Sequence, residues 1–171
     1  LHRKAMRDPL TKVPNRAEFD QTHRDFVADH TARNQPCSLI VCDIDRFKKV
    51  NDTYGHAAGD AVIKYLAETL MRHIRSDDMV ARLGGEEFAL ILNGGTQAAA
   101  AAILEQIRQD IQQSVVRVDD HAINFAISIG ALFIDNETAA YEDLEQAVLD
   151  HADKALYEAK KTGRNKIVWG E

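Results

Sequence analysis

Four consecutive apolar residues, 39–42, lead directly into the carboxylate of Asp43. A strand with one wet face alternates apolar and polar side chains, whereas an unbroken apolar run is typical of a strand that is covered on both faces. The run therefore predicts a central strand whose sheet carries helices on each side. It also places a carboxylate at the carboxyl end of that strand.

The other segments alternate between helical and extended patterns. Asn15 is predicted to cap a first helix that runs to about residue 33, with Phe19 and Phe26 on its inner face. Gly163 is predicted to end the last helix. Further helices are predicted, mainly from apolar residues at helical spacing, at residues 47–53, at 58–75, after Thr96 and at 141–161.

Two predicted hairpins exclude an all-parallel sheet. The first joins residues 80–83 to 88–92 through Gly84-Gly85-Glu86-Glu87, because paired glycines supply the positive φ angles of tight turns. The second joins residues 115–118 to a long strand at 122–134, in which apolar side chains alternate with smaller or polar ones.

These elements, with a last short strand at 167–169, predict one α/β (α+β) domain over residues 8–171. Its mixed central sheet is expected to contain about five to seven strands, flanked by helices. Residues 1–7 are interpreted as the end of a linker helix from an upstream domain that this chain lacks.

Composition argues against two classes of partner. The chain has 171 residues, and its 21 basic against 27 acidic side chains give a net charge of −6, which argues against a nucleic-acid duplex or an anionic membrane. Cys37 and Cys42 share one apolar run and are interpreted as reduced core residues. A cytoplasmic domain without membrane contact is predicted, although upstream segments could anchor a longer protein.

Acidic residues cluster at two predicted strand ends. Asp43 and Asp45 follow the central strand, and Glu86 and Glu87 lie in the first hairpin turn. Hard cations such as Mg²⁺ take a few oxygen ligands from protein and keep other positions for water and phosphate. Neighbouring residues of a strand point to opposite faces, so one glutamate is expected to bind metal and the other to have a second role. The alternative is that these acids face solvent.

The segment that spans the first turn, RLGGEEF at residues 82–88, resembles the signature of GGDEF-domain diguanylate cyclases in its GGEEF form. Further blocks resemble the family in the same order: DPLT with NR at 8–16, DIDRFKKVND with YGHAAGD at 43–60, and ADKALYEAK with GRN at 152–165. The resemblance covers residues 8 to about 169 and implies a fold similar to nucleotidyl cyclases and polymerase palms.

The resemblance implies a metal-dependent active site. Asp43, Glu86 and the backbone carbonyl of Ile44 would hold two Mg²⁺ or Mn²⁺ ions. Glu86 would also act as the base for an attacking 3′-hydroxyl. Glu87 is assigned to the same catalytic signature, with a separate role that the resemblance leaves open.

The resemblance also implies substrate contacts. Asn51 and Asp60 would read guanine, where the alternatives are a helix cap and a solvated helix residue. Lys160 and Arg164 would bind phosphate, together with the backbone amides of Phe47 and Lys48. Basic residues are also common at helix ends for electrostatic reasons alone.

Arg75 and Asp78 form an R-x-x-D pattern five residues before Gly84. In the family this spacing marks a site at which cyclic di-GMP inhibits the enzyme. The alternative is a helix-terminal arginine that is followed by turn acids.

The implied function is condensation of two GTP into cyclic di-GMP and two pyrophosphates across a homodimer interface. A first alternative is a non-catalytic receptor that binds GTP or cyclic di-GMP. A second is a cyclase that acts on a single nucleoside triphosphate. The retained signature residues favour the diguanylate cyclase.

Overall fold

Strand β1 (Cys37–Ile44) is the central strand of a five-stranded sheet in the computed structural model, which describes residues 6–33, 35–135 and 144–171. All eight residues of β1 are buried, as the apolar run predicts. The elements in the described residues are, in order, α1 (Arg16–Arg33), β1, α2 (Phe47–Tyr54), α3 (His56–His73), β2 (Met79–Gly84), β3 (Glu87–Asn93), α4 (Gln97–Gln113), β4 (Val116–Val118), β5 (His121–Ile123), β6 (Ile127–Ile134), α5 (Leu144–Lys161) and β7 (Ile167–Trp169).

The central sheet is mixed, as predicted. Its strand order is β2-β3-β1-β6-β7, with β1 antiparallel to both of its neighbours and β7 parallel to β6. Strands β4 and β5 form a separate two-stranded sheet. The five strands of the main sheet lie at the lower end of the predicted range of five to seven.

Side chains of β1 alternate between two hydrophobic layers. Ile40 and Cys42 belong to the layer that includes the buried faces of α3 and α4, whereas Leu39 and Val41 pack with residues of α1 and α5. Because side chains two apart on a strand share a face, Asp43 points to the side of α5. The predicted covering of both faces is therefore confirmed.

The prediction of one long strand at residues 122–134 is wrong, because the structure has two separate strands there, β5 and β6. The chain pairs as β5 with β4, leaves that sheet, and pairs as β6 with β1 only from Ile127. Ile123 and Phe125 are buried like Ile127, so the alternation continues through the break and conceals it. Between the two strands the Asn124 side chain donates a hydrogen bond to the Ser114 carbonyl at 2.8 Å.

The predicted helix caps are present. Asn15 Oδ1 accepts from the Glu18 amide at 3.1 Å, and Thr96 Oγ1 accepts from the Ala99 amide at 3.1 Å. The long helix α3 has the predicted length but begins and ends two residues earlier than predicted. Residues 1–5 of the expected linker helix, positions 141–143 of the expected last helix, and the side chains of Phe26 and Leu144 lie outside the described residues.

Helix α5 packs directly against the backbone of β6. Val148, Ala152 and Ala159 are buried on its inner face. A Cβ atom at Gly130 of β6 would lie 2.2 Å from the Leu156 amide nitrogen and 2.4 Å from the Ala152 carbonyl oxygen. This close approach brings the end of α5 over the sheet. In the described part of the chain, every helix is too short or too polar to cross a bilayer.

Candidate active site

The end of β1 meets the glycine turn of the β2–β3 hairpin. Asp43 is the direct cross-strand partner of Glu87, and the Ile44 amide donates to the Glu86 carbonyl oxygen at 3.4 Å. Gly85 adopts a φ angle of 47°, in the left-handed region that glycine tolerates without strain. The two acidic clusters that the sequence places at strand ends are therefore neighbours.

Asp43 is a buried carboxylate that is only partly satisfied. One oxygen, Oδ2, accepts from the Lys160 ammonium group. The other, Oδ1, is buried and lacks a hydrogen-bond partner among the described residues. Burial raises the pKa of Asp43, Lys160 opposes that rise, and Glu86 and Asp45 add to it. An unpartnered buried carboxylate oxygen is unfavourable in apolar surroundings and fits a ligand for a hard cation.

Glu86 and Glu87 are both half-buried. Burial raises the pKa of Glu87, and the carboxylates of Asp153 and Asp43 raise it further. Glu87 lies in the strand ladder, whereas Glu86 precedes β3 in the turn, which agrees with different roles for the two acids. In the described part of the chain, no group of three or more His, Cys, Asp or Glu side chains lies close enough together to hold a metal ion by itself. A metal held by Asp43 and Glu86 would therefore need carbonyl, water or phosphate oxygens as its other ligands.

The two residues expected to read guanine flank the contact between α2 and α3. Asn51 packs on Gly59, where a Cβ atom would lie 1.9 Å from Asn51 Oδ1, and Asp60 is the next residue. Asn51 Oδ1 is the second buried side-chain atom that has no partner among the described residues. Asp60 is exposed and lines a cavity of about 430 Å³ with Leu10 and other residues.

The expected phosphate ligands lie at the β1–α2 junction and at the end of α5. Helix α2 begins at Phe47, after Arg46 in the left-handed region at φ 56°, and the first amides of a helix have no acceptor within it. The Lys48 side chain pairs with Asp52 on the surface at 2.7 Å, so only its amide is available towards this junction. Arg164 follows α5 at φ 63° and lines a second cavity, of about 520 Å³, with Arg46.

The R-x-x-D residues form a bonded turn between α3 and β2. The Asp78 carboxylate accepts from the Arg75 amide at 2.9 Å and from the Asn93 amide at 2.9 Å, and its side chain has no exposed surface. The Arg75 guanidinium is 60% exposed and donates to the Asn93 carbonyl at 2.8 Å. Arg75 is thus open to a ligand, while Asp78 holds it in place.

The family model for the diguanylate cyclase GGDEF domain matches residues 5–166. This chain belongs to that family. The GGDEF domain is 42% identical over 138 residues to diguanylate cyclase A of Treponema denticola. The aligned segment covers 79% of this chain and 35% of that protein. The domain is 36% identical over 164 residues to diguanylate cyclase DgcP of Pseudomonas aeruginosa, which covers 96% of this chain and 24% of that protein.

A solved relative has the same fold as this GGDEF domain. The coiled coil and GGDEF domain of DgcB from Caulobacter crescentus, in complex with c-di-GMP, superposes with a TM-score of 0.91 at 31% identity. The superposition covers 99% of this chain and 87% of that one. The GGDEF domain accounts for about a third or less of the length of the two cyclases above.

The contacts of two residues, Arg82 and Asp45, were missed by sequence reasoning. Arg82 donates to both carboxylate oxygens of Asp8, at 3.1 and 3.2 Å, and to the Gly85 carbonyl at 3.0 Å. Asp45 accepts from Ser128 Oγ at 2.6 Å and from the Asn165 amide at 2.9 Å. Asp8, Arg82 and Asp45 all lie inside the motif blocks, and that position was the available signal.

Proposed function

We propose that this GGDEF domain condenses two GTP molecules into cyclic di-GMP and two pyrophosphates. The observation that carries the proposal is the buried, unpartnered Oδ1 atom of Asp43 beside the Glu86-Glu87 turn. It provides an oxygen ligand at the point where the signature turn closes on the central strand. The DgcB relative in complex with c-di-GMP supports a dinucleotide product.

Asp43, Glu86 and the backbone carbonyl of Ile44 would hold Mg²⁺ or Mn²⁺, two ions for each active site. The donor set fits, because oxygen ligands from carboxylate and carbonyl groups suit these hard cations. When bound, the metal supplies positive charge that favours an ionised 3′-oxygen and stabilises the pyrophosphate leaving group.

The residues of the chain then have separate tasks. Glu86 accepts the proton of the 3′-hydroxyl. The 3′-oxygen of one GTP then attacks the α-phosphorus of the other, and the bond from that phosphorus to pyrophosphate breaks. Lys160 and Arg164, with the amides of Phe47 and Lys48, hold the phosphates in line. Lys160 already contacts Asp43, and its ammonium group has three donors, so it can contact a phosphate at the same time.

Guanine is read by Asn51 and Asp60 in this proposal. Guanine presents an N1–H and an exocyclic amine as donors on one edge, and carboxylate and amide oxygens accept both. Adenine presents an acceptor at N1 and would leave Asn51 Oδ1 buried without a donor. The site therefore favours GTP over ATP.

The ring product requires two copies of the domain. Cyclic di-GMP has two equivalent phosphodiester bonds, and each domain presents one GTP, so two domains related by a two-fold axis place each 3′-hydroxyl at the other α-phosphorus. Product inhibition would act through Arg75, whose exposed guanidinium can pair with a phosphate of cyclic di-GMP.

A turnover assay distinguishes this proposal from a receptor that binds nucleotide without chemistry. The domain at high concentration is incubated with GTP and Mg²⁺, and the products are separated by chromatography. We expect cyclic di-GMP from the wild type, at least a hundredfold less from Glu86→Ala, since proton transfer alone contributes about 10²–10⁴ in rate, and wild-type amounts from the exposed-turn control Asp120→Asn. GTP binding without any product would favour the receptor instead.

A further inference from the structure

The D-x-D spacing of Asp43 and Asp45 puts both carboxylates on one side of the chain as it leaves β1, because residues two apart share a face. The two acids nevertheless meet different partners at the end of α5. Asp43 contacts Lys160, within the helix, whereas Asp45 contacts the backbone amide of Asn165, beyond it. Their roles are therefore separated by what each one binds.

Asp45 is buried, with 9% of its surface exposed, and both of its oxygens are used. Oδ1 accepts from the hydroxyl of fully buried Ser128 at 2.6 Å, and Oδ2 accepts from the Asn165 amide at 2.9 Å. In contrast to Asp43, it has no unpartnered oxygen to offer a cation. Its two bonds join β6 to the turn after α5, across 83 and 120 residues of sequence.

The turn that Asp45 holds has a conformation that needs support. Arg164 and Asn165 have φ angles of 63° and 48°, so two successive non-glycine residues lie in the left-handed region. Such a conformation is unfavourable for an arginine, although asparagine tolerates it better, and it persists when neighbouring contacts fix it. The direction of the Arg164 side chain depends on this turn.

A second support reaches the same turn from α4. Arg108 donates to Asn165 Oδ1 at 2.9 Å, and its guanidinium is itself held by Glu105 at 2.7 Å. Asp45 therefore holds the amide of Asn165 and Arg108 holds its side chain. The residue before these anchored atoms, Arg164, forms no ion pair with any carboxylate of the described residues.

We infer that Asp45 is a positioning residue, which fixes the Arg164-Asn165 turn so that the Arg164 guanidinium is ready for the phosphates of GTP. Asp45 acts through Arg164 and is not a metal ligand. The inference rests on the proposed function in one respect, the role of Arg164 as a phosphate contact. A backbone turn that is fixed before the ligand arrives loses less conformational entropy when Arg164 binds phosphate.

A double-mutant cycle tests the inference by binding, without turnover. The probe is guanosine 5′-(α,β-methylene)triphosphate, in which a carbon replaces the oxygen of the bond that would break, and binding is measured by calorimetry in EDTA so that metal coordination does not contribute. We expect Asp45→Ala to weaken binding about tenfold, which is 1.4 kcal/mol and within the usual range of coupling energies. In an Arg164→Ala background the same change should have less than a twofold effect, whereas in an Asp60→Ala background it should keep its full effect.

Two further variants separate positioning from general loss of structure. The affinity of Asp45→Asn for the analogue should stay within about threefold of the wild-type value. Its amide oxygen can accept from the Asn165 amide, and its amide nitrogen can donate to the Ser128 hydroxyl, which then accepts instead of donating. Should Asp45→Ala fail to fold, Arg108→Ala removes the other anchor and should show the same dependence on Arg164. Guanosine, which lacks phosphate, should bind the Asp45, Arg108 and Arg164 variants as well as it binds the wild type.

In the binding experiment, a full effect of Asp45→Ala in the Arg164→Ala background would overturn the inference. So would an effect that appears only with Mg²⁺ and vanishes in EDTA, as expected of a metal ligand. Hydrogen exchange of the Asn165 amide supplies a readout that needs no nucleotide. It should exchange at least tenfold faster in Asp45→Ala, and unchanged exchange would contradict the inference. A wild type that binds no GTP would overturn only the proposed function.

Discussion

At the scale of single residues, the candidate site contains buried polar atoms whose capacity to accept a hydrogen bond is unused. Asp43 Oδ1 and Asn51 Oδ1 are the two buried side-chain atoms without partners in the described residues, and both belong to the motif that contains the central strand end. Native proteins satisfy nearly all such atoms, so an exception calls for an explanation. The proposed binding of metal at Asp43 and of guanine at Asn51 would supply it.

Gly59→Ala tests the guanine contact. Alanine should keep or raise helix stability, since glycine costs about 1 kcal/mol in a helix interior, but its methyl group would occupy the position of Asn51 Oδ1. We expect an unchanged or higher melting temperature and at least tenfold weaker binding of the GTP analogue, because a guanine donor would lose its acceptor. Met71→Ala, an exposed change on the same helix, is the control. Unchanged binding by Gly59→Ala would contradict the role of Asn51.

Asp8→Asn tests the link between the opening segment and the signature turn. Burial opposes ionisation of Asp8, but hydrogen bonds from Thr11 and Arg82 outweigh it, so the pKa of Asp8 lies below its ordinary value of 3.8. A carboxylate with a lowered pKa stabilises the fold above its unfolded-state pKa, and that contribution is lost as pH falls through the folded-state pKa.

The expected loss for Asp8→Asn at pH 7 is about 2 kcal/mol, typical of hydrogen bonds to a charged group. Urea unfolding should show a constant difference from the wild type between pH 7 and about pH 4.5, and a shrinking one below pH 3.8. Asp120→Asn makes the same chemical change at an exposed turn and should cost little at any pH. A difference that already fades near pH 6 would show that another group is responsible.

At the scale of secondary-structure elements, the active site depends on how α5 sits on the sheet. Lys160 and the turn that contains Arg164 reach the end of β1 only because α5 approaches β6 closely at Gly130. A side chain there would meet helix backbone, which cannot turn away as a flexible side chain can. The small residues on the inner face of α5, Ala152 and Ala159, permit the same approach.

Gly130→Ala should therefore destabilise the domain by roughly 1–3 kcal/mol, the usual cost of overpacking a close contact. Thermal and urea unfolding would measure it. Gly59→Ala is the matched comparison, since the same methyl group there meets the movable Asn51 side chain instead of backbone. Equal stability of the two variants would mean that α5 adjusts easily and that its position does not set the site.

Sequence patterns predicted most elements because each depends on local spacing or capping, as at Asn15, Thr96 and the glycine hairpin. They failed at residues 124–126, where alternation continues through a change of sheet and only long-range pairing reveals the break. In the site, motif position indicated Asp43, Glu86 and Lys160. The bonds of Asp45 to Ser128 and Asn165 join residues far apart in sequence, and no local spacing encodes such contacts.

At the scale of the whole molecule, one domain presents half of the chemistry that we propose. In the proposed function a single chain holds one set of metal, guanine and phosphate ligands, and the ring product requires two such sets. The domain also spans only about a third or less of the curated relatives described above. Activity of the isolated domain should therefore be limited by the encounter of two copies.

The rate of cyclic di-GMP formation per domain, followed over a hundredfold range of protein concentration at fixed GTP and Mg²⁺, tests the central claim most directly. Two half-sites that must meet predict a rate per domain that rises with concentration and levels off once dimers predominate. A measurable rate per domain that stays constant down to the lowest concentration, or complete absence of product at the highest, would contradict catalysis across a pair of these domains.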